Sequence, residues 1–416
     1  MIRLVCAILF LNFTFWIFPS RLLAQSRYIK GKVIDHLTEQ ALPYSHISIQ
    51  HSSIGTVSNA EGEFVLRVPA HQLQDSLLIS SLGYQSYSSP LSTLIGKQLL
   101  IRLQTATILL KEVTVQPDRA LEILREALGK IPLNYAQEAR LHTGFYRETI
   151  RENEAYSSFV EAVLQVYKAS YRQSSHDFVK IMKGRKHPFT ETPDSLQLPK
   201  LTGGPHVGIF LDLVKRKKNF LQRKYFRYYQ YSVLSLTEMD GRPVYEIGFT
   251  PKRVHPKAQY TGKIYIDTLD QAFVQVKYQL TPAGLQVNNR TSISNSFVYQ
   301  LMGLSMRWRA KQYQVDYHKI DGKWHLYYAG VKGALQLKFQ KEERNRLLMV
   351  HADYLTTKHS LENVQPFRYD ETLKMQDVFV EEIGSYEPDF WEEYNTIRQI
   401  ENLEKILRLQ KKETAN

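Results

Sequence analysis

The sequence predicts a mainly β protein: a small N-terminal β-sandwich, then a larger antiparallel curved sheet, open like a half-barrel, with flanking helices. Three observations carry this expectation. Short alternating runs bounded by Gly, Pro, Asn or Asp recur from Ile29 to Leu103. Longer alternating runs turn at Asp240-Gly241 and Asp321-Gly322, among the strongest hairpin signals. Aromatic residues reach 12%, with 26 Tyr and 19 Phe, side chains that suit half-buried strands. The 416 residues suffice for two or three domains of ~150 residues, and 43% hydrophobic content excludes wholesale disorder.

The chain opens with a secretory signal over residues 1–24. Arg3 gives a positive start, an apolar run follows from Leu4 to Phe18, and the small Ala24 suggests cleavage before Gln25. The run is short for a bilayer span of ~20 residues, and no later run is long and apolar enough to cross as a helix. The only cysteine, Cys6, leaves with this segment, so the mature chain has no disulfide, thiolate ligand or thiol nucleophile. The net charge is +13, or +11 once Arg3 and Arg21 leave with the signal segment, and in an exported chain this favours anionic surfaces, lipid or glycan, over nucleic acid. The expected location is the periplasm or the outer membrane.

The sandwich occupies 26–104. Its strands are read at Ile29–Asp35, Tyr44–Ile49, Gly55–Ser58, Glu63–Val68, Ser76–Ser80 and Gln98–Leu103. The ordered set Gly31-Lys32-Val33-Ile34-Asp35, Leu42-Pro43-Tyr44-Ser45, Gly55-Thr56, Asn59-Ala60-Glu61-Gly62-Glu63-Phe64 and Ser80-Ser81-Leu82-Gly83-Tyr84 resembles the carboxypeptidase-like regulatory domain. That family has a transthyretin-like β-sandwich and stands at the N-terminus of TonB-dependent outer-membrane receptors; it is an accessory domain and brings no peptidase chemistry. Leu110-Lys111-Glu112-Val113-Thr114-Val115 is similar to the segment that leads into the receptor barrel, but the remaining chain is too short for 22 strands of ~10 residues with loops and plug.

A linker and bridging helix fill 105–139, with Ala120, Leu121, Leu124, Ala127, Leu128 and Ile131 at helical spacing before Pro132. The β-rich unit, 140–386, reads as hairpins: His142–Arg151 with Ala155–Tyr171, Tyr228–Glu238 with Val244–Thr250, Gly262–Asp267 with Ala272–Leu280, and Gln312–Ile320 with Trp324–Ala329. Hairpins imply antiparallel pairing. The Gly262-Lys263-Ile264-Tyr265-Ile266-Asp267 hairpin looks similar to the lipoprotein-carrier fold, whose half-barrel holds acyl chains. Gly144-Phe145-Tyr146-Arg147-Glu148, Gly203-Gly204-Pro205 and Phe390-Trp391, together with that hairpin, resemble an uncharacterised envelope extension that carries no assigned activity. Residues 387–416 read as a C-terminal amphipathic helix, with Ile400, Leu403 and Leu407 on one side.

Catalytic motifs are scarce. His36-Leu37-Thr38-Glu39 has metal-ligand spacing, but it falls in a turn and no His-Glu-x-x-His accompanies it. There is no Gly-x-Ser-x-Gly elbow, phosphate loop or dinucleotide glycine pattern. Ser174-Ser175-His176-Asp177 reads as a polar loop, since a triad is defined by geometry and not adjacency. No histidines pair at ligand spacing, so no catalytic, cofactor or metal residue is assigned and no cofactor is expected. The most notable stretch is Lys215, Arg216, Lys217, Lys218, Arg223, Lys224 and Arg227, interleaved with Phe220, Leu221, Tyr225 and Phe226. It reads either as an anionic-surface patch or as the solvated face of a core-packed helix. The expected function is a non-enzymatic envelope protein that binds or interacts. The alternatives are a metal-assisted peptidase using His36 and a carrier of lipid or another apolar ligand.

Overall fold

The computed structural model describes residues 27–106, 117–153, 155–172, 176–186, 202–291, 303–339, 344–384, 391 and 394–399. The expected signal segment, the Leu110–Val115 segment and most of the expected C-terminal helix lie outside them.

Seven short strands build the first unit: β1 (Arg27–Asp35), β2 (His46–Ile49), β3 (Gly55–Val57), β4 (Glu63–Val68), β5 (Ser76–Ser80), β6 (Tyr87–Pro90) and β7 (Gln98–Leu103). They form two sheets, ordered β4-β1-β7 and β3-β2-β5-β6. Period-two burial in β4, with Phe64, Leu66 and Val68 inward, shows how alternation fixes the inner face. Ile29, Val33, Ile47, Ile79 and Ile101 complete the core between the sheets.

Ten strands build the second unit: β8 (Arg140–Glu152), β9 (Ala155–Lys168), β10 (Phe178–Lys186), β11 (Tyr229–Met239), β12 (Arg242–Pro251), β13 (Tyr260–Asp267), β14 (Phe273–Leu280), β15 (Leu304–Ile320), β16 (Lys323–Phe339) and β17 (Arg344–Ser360). They make one antiparallel sheet in the order β10-β9-β8-β17-β16-β15-β14-β13-β12-β11. The four hairpins read from the sequence are present. Asp240 and Asp321 adopt positive φ before Gly241 and Gly322, the two-residue geometry that matches strand twist. β15 and β16 run further than expected, to 17 residues each, and β10 and β17 were not foreseen.

The helix Pro117–Gly129 packs Ala120, Ile123, Leu124 and Ala127 against the sheet, and a short helix Ile131–Asn134 follows. The reading of the basic stretch around Phe220 and Leu221 as one core-packed helix is corrected. Only Pro205–Phe210 is α-helical, and 3-10 turns at Asn219–Leu221 and Arg223–Tyr228 carry the chain on. The apolar residues are buried as expected, but by turns that follow the sheet surface. Asn395–Gln399 carry no helical structure either. No helix among the described residues is long and apolar enough to cross a membrane.

The sandwich docks on the sheet. Tyr327 Oη donates to the Thr56 carbonyl at 2.7 Å, and His46 Nε2 lies 3.3 Å from Asp316 Oδ2, both groups buried. Val57 packs with Phe145, Val163, Tyr327 and Leu355. The tail at 394–399 ties both units: Asn395 Oδ1 accepts from Arg67 N at 2.7 Å, and Arg147 Nη2 donates to the Ile397 carbonyl at 2.6 Å.

Candidate functional site

Where the sandwich overhangs the sheet, strand register lays polar side chains in rows. One row runs Thr261, Gln279, Gln312, Lys332 and His351 across five neighbouring strands. The next runs Lys263, Lys277, Gln314, Gly330 and Asp353. Paired residues share a face, so each row is a continuous strip of floor. Their neighbours Ile264, Val276, Tyr278 and Val315 point the other way into the core, which fixes the face that the polar set presents. These strips floor a cleft of about 520 Å³.

Tyr44 forms its overhang. Pro43 and Tyr44 occupy the centre of a tight turn, and Tyr44 has φ 59°, a backbone region that costs a bulky residue free energy. Backbone strain held in place by its surroundings clusters at functional sites. The strained turn sets the Tyr44 ring 5.1 Å from the Tyr328 ring and under Lys332 Nζ, 4.9 Å from its centroid. Its hydroxyl lies 3.4 Å from His351 Nε2, which is 3.0 Å from Asp353 Oδ1. Tyr328 also donates to Asp353. Burial pushes Asp353 up, but His351, the Tyr328 hydroxyl and Arg147 together hold it below the usual carboxylate range. Burial, aided by Asp353, pushes both tyrosine hydroxyls far up, so both remain proton donors. Gly330 in the floor leaves room for Tyr328: a Cβ there would stand 2.3 Å from its hydroxyl oxygen.

The cleft's charge is unevenly matched. Lys263 pairs with Glu246 at 2.6 Å. Among the described residues, neither Lys277 nor Lys332 has a carboxylate at ion-pair distance, and both are exposed. Gln279, Gln312 and Gln314 add amides that donate and accept. The arrangement offers cations, amides and ring faces together, which suits a ligand with negative charges and hydroxyls.

The opposite face of the sheet is filled. Phe220 stacks on Phe249 at 4.2 Å and meets Tyr278 at 5.2 Å, while Tyr231 Oη donates to the Phe220 carbonyl at 2.6 Å. Among the described residues, the space that a carrier would keep for an acyl chain is here occupied by the protein's own aromatics.

The basic stretch divides. Lys215 is not a surface cation: its side chain is 5% exposed, and its Nζ lies 2.6 Å from Asp177 Oδ1. Asp177 and Asp212 also flank Lys168 Nζ at 3.0 and 2.7 Å. Burial works against the Lys168 charge, and the two carboxylates overcome it and hold its pKa above the usual lysine range. Arg216 lies over the Phe210 ring at 3.6 Å, and Lys218 is half-buried. Lys217, Arg223, Lys224 and Arg227 are exposed.

The other sequence candidates have local roles. His36 is exposed in a turn whose Leu37 and Thr38 amides are held by Asp35, and Glu39 faces Arg102 at 3.4 Å. Among the described residues, His36 and Glu39 therefore converge on no site. The Gly203-Gly204 turn packs Gly204 against Phe379, and His206 Nε2 bonds the Leu373 carbonyl at 2.8 Å. Of the cleft residues, sequence reading singled out only Tyr44 and Lys263, each as part of a family-like motif. Alternating polar positions such as Gln312 and Gln314 mark an open sheet face, but only register shows that they meet.

Residues 29–115 match the family model of the CarboxypepD_reg-like domain, in line with the resemblance read from the sequence. No match emerges among curated proteins. Among solved structures, the chain is similar to a putative outer membrane lipoprotein-sorting protein domain from Vibrio parahaemolyticus, with 8% identity, TM-score 0.26, and 60% of this chain and 95% of the other covered. It is also similar to a DUF1329 family protein from Desulfovibrio piger, with 12% identity, TM-score 0.27, and coverages of 62% and 100%. Lipovitellin aligns with 10% identity, TM-score 0.24, and coverages of 58% and 28%. At these scores the likenesses carry no functional inference.

Proposed function

We propose that this chain is an exported envelope protein that binds without turnover, and that its cleft takes an anionic, hydroxyl-rich chain such as an acidic polysaccharide. The observation that carries the reading is the pair of polar rows with Lys277 and Lys332 unmatched, roofed by the strained Tyr44. Cations supply attraction and approach rate, amides fix orientation, and tyrosine faces cover sugar rings at low entropic cost. The regulatory-domain match at 29–115 and the N-terminal apolar run support the envelope placement. An apolar ligand is less well served, because the opposite face carries its own aromatics.

The test is binding of a polyuronate oligosaccharide at 0.15 M salt, roughly the ionic strength at which long-range attraction is screened beyond ~8 Å. K277Q/K332Q is expected to weaken binding at least ~10-fold, equivalent to ~1.4 kcal/mol. K217Q/R223Q/K224Q/R227Q removes the exposed cations outside the cleft and is expected to leave binding unchanged. Equal loss in both variants would reduce the effect to general basicity and remove the cleft from the account. Stronger binding to anionic vesicles than to the oligosaccharide would move the ligand class to lipid headgroups.

A further inference from the structure

Three histidines far apart in sequence meet at one end of the large sheet. His142 is the third residue of β8, His359 the penultimate residue of β17, and His325 the third of β16. His142 and His359 are direct cross-strand partners. Their ring centroids lie 4.3 Å apart, and His359 and His325 lie 4.8 Å apart. One nitrogen from each ring can be chosen so that all three fall within 4.8 Å of one another.

These rings are not satisfied as core histidines are. His142 and His325 are each 1% exposed. Among the described residues, neither nitrogen of His142 or His359 has a hydrogen-bond partner, and the same holds for Nε2 of His325. Buried polar nitrogens in native proteins are nearly always paired, so five left open in one cluster call for a ligand. The remaining His325 nitrogen is engaged with the Ile320 backbone, the outer contact that fixes a metal-binding imidazole in its tautomer.

We infer that His142, His325 and His359 form a three-imidazole site for a borderline divalent cation, with Zn²⁺ the best match. A tetrahedral zinc with bonds of about 2.0–2.1 Å sets its ligand nitrogens roughly 3.4 Å apart. The cluster reaches that spacing by contracting a little over an ångström, within the range of small side-chain rotations. Three neutral imidazoles without a thiolate or carboxylate suit zinc, copper or nickel and disfavour magnesium and calcium. His142 and His359 line an open pocket of about 270 Å³, together with Gln165, Ser360 and Glu362 among others, by which water or an incoming donor can approach two of the three rings. Two cations lie close enough to act on His142: the Lys168 charge is met by Asp177 and Asp212, while Arg140 acts on all three rings and is the charge that a bound cation has to overcome. The site differs from the peptidase reading of the sequence, because His36 takes no part. It is also independent of the polysaccharide cleft, whose floor uses none of these residues.

The experiment uses the full chain after chelator treatment and dialysis. Zn²⁺ titration by calorimetry is expected to give one equivalent bound, and Co²⁺ to give the visible absorption of a tetrahedral nitrogen site. Unfolding temperature is expected to rise with added Zn²⁺, since a ligand of the native state stabilises it. H142N/H359N is expected to weaken Zn²⁺ binding at least 100-fold, while H255N, at an exposed loop, leaves it unchanged. Absence of saturable Zn²⁺ binding by the wild-type chain would overturn the site whatever the variants do. So would undiminished binding in H142N/H359N with unaltered circular dichroism. Polysaccharide binding is measured in parallel and is expected to persist without metal, so the two proposals fail separately.

Discussion

Glu148 shows what a single buried side chain imposes. It is 6% exposed in β8, and burial pushes its pKa up to about 7, against a hydrogen bond from the Tyr146 hydroxyl that favours ionisation. A raised acid pKa means that the folded chain holds this proton more tightly than the unfolded chain. Its contribution to stability is therefore full below about pH 4.5 and is lost as pH rises toward 7. The upper bound is roughly 3 kcal/mol from the linkage relation. E148Q is expected to flatten that part of the pH dependence, and urea unfolding at pH 5 and pH 8 checks it. A wild-type and E148Q pair with identical pH slopes would show that Glu148 does not carry the effect. At this scale sequence reading is weakest. Lys215 looked like a surface cation because its counter-ion Asp177 lies 38 positions away. The three histidines looked scattered because strand pairing, and not spacing along the chain, unites them.

At the scale of elements, local chemistry was legible where turns announce themselves. Asp-Gly pairs fix the two-residue hairpins, and their flanking runs became β11 with β12 and β15 with β16. The stretch after Pro205 misled because aromatic and basic residues at helical spacing also fit short turns draped on a sheet, where burial overrides periodicity. β17 escaped notice because its adjacent Leu347 and Leu348 and its scattered polar residues break clean alternation. Packing between elements gives a sharp test at Gly262, where an added Cβ would lie 2.2 Å from the Lys277 carbonyl oxygen. G262A is expected to destabilise by roughly 1–3 kcal/mol through forced separation of β13 and β14. Gly129 ends its helix with nothing within 4 Å of a Cβ, so G129A is expected to be neutral or stabilising by up to ~1 kcal/mol. Chemical denaturation of both variants distinguishes a steric cause from a general intolerance of alanine.

For the whole molecule, the sandwich and the sheet share buried polar links and a common tail. Tyr327 to Thr56, His46 to Asp316, and the 394–399 segment bonded to Arg67 and Arg147 couple the two units. Separating the units would leave several of these groups without partners, each costing ~1–3 kcal/mol where it stays dry. The chain is therefore expected to unfold in one calorimetric transition, and D316A is expected to lower its midpoint. Two resolved transitions in the wild-type chain would show that the units melt independently. The two-unit architecture was visible in the sequence. Their docking was not, since it depends on side chains whose partners lie some 270 positions apart.

The sheet order places β8 beside β17, so the first strand of the large unit is completed only by its last. A ribosome or a translocation pore delivers the chain from its N-terminus, and the hairpins between can close as they emerge, but β8 keeps a raw edge until Ser360 arrives. Loop closure across roughly 200 residues is expected to make this pairing slower than the closing of the hairpins. Until then the backbone groups of β8 that β17 will take stay open to pairing with any other strand that meets them.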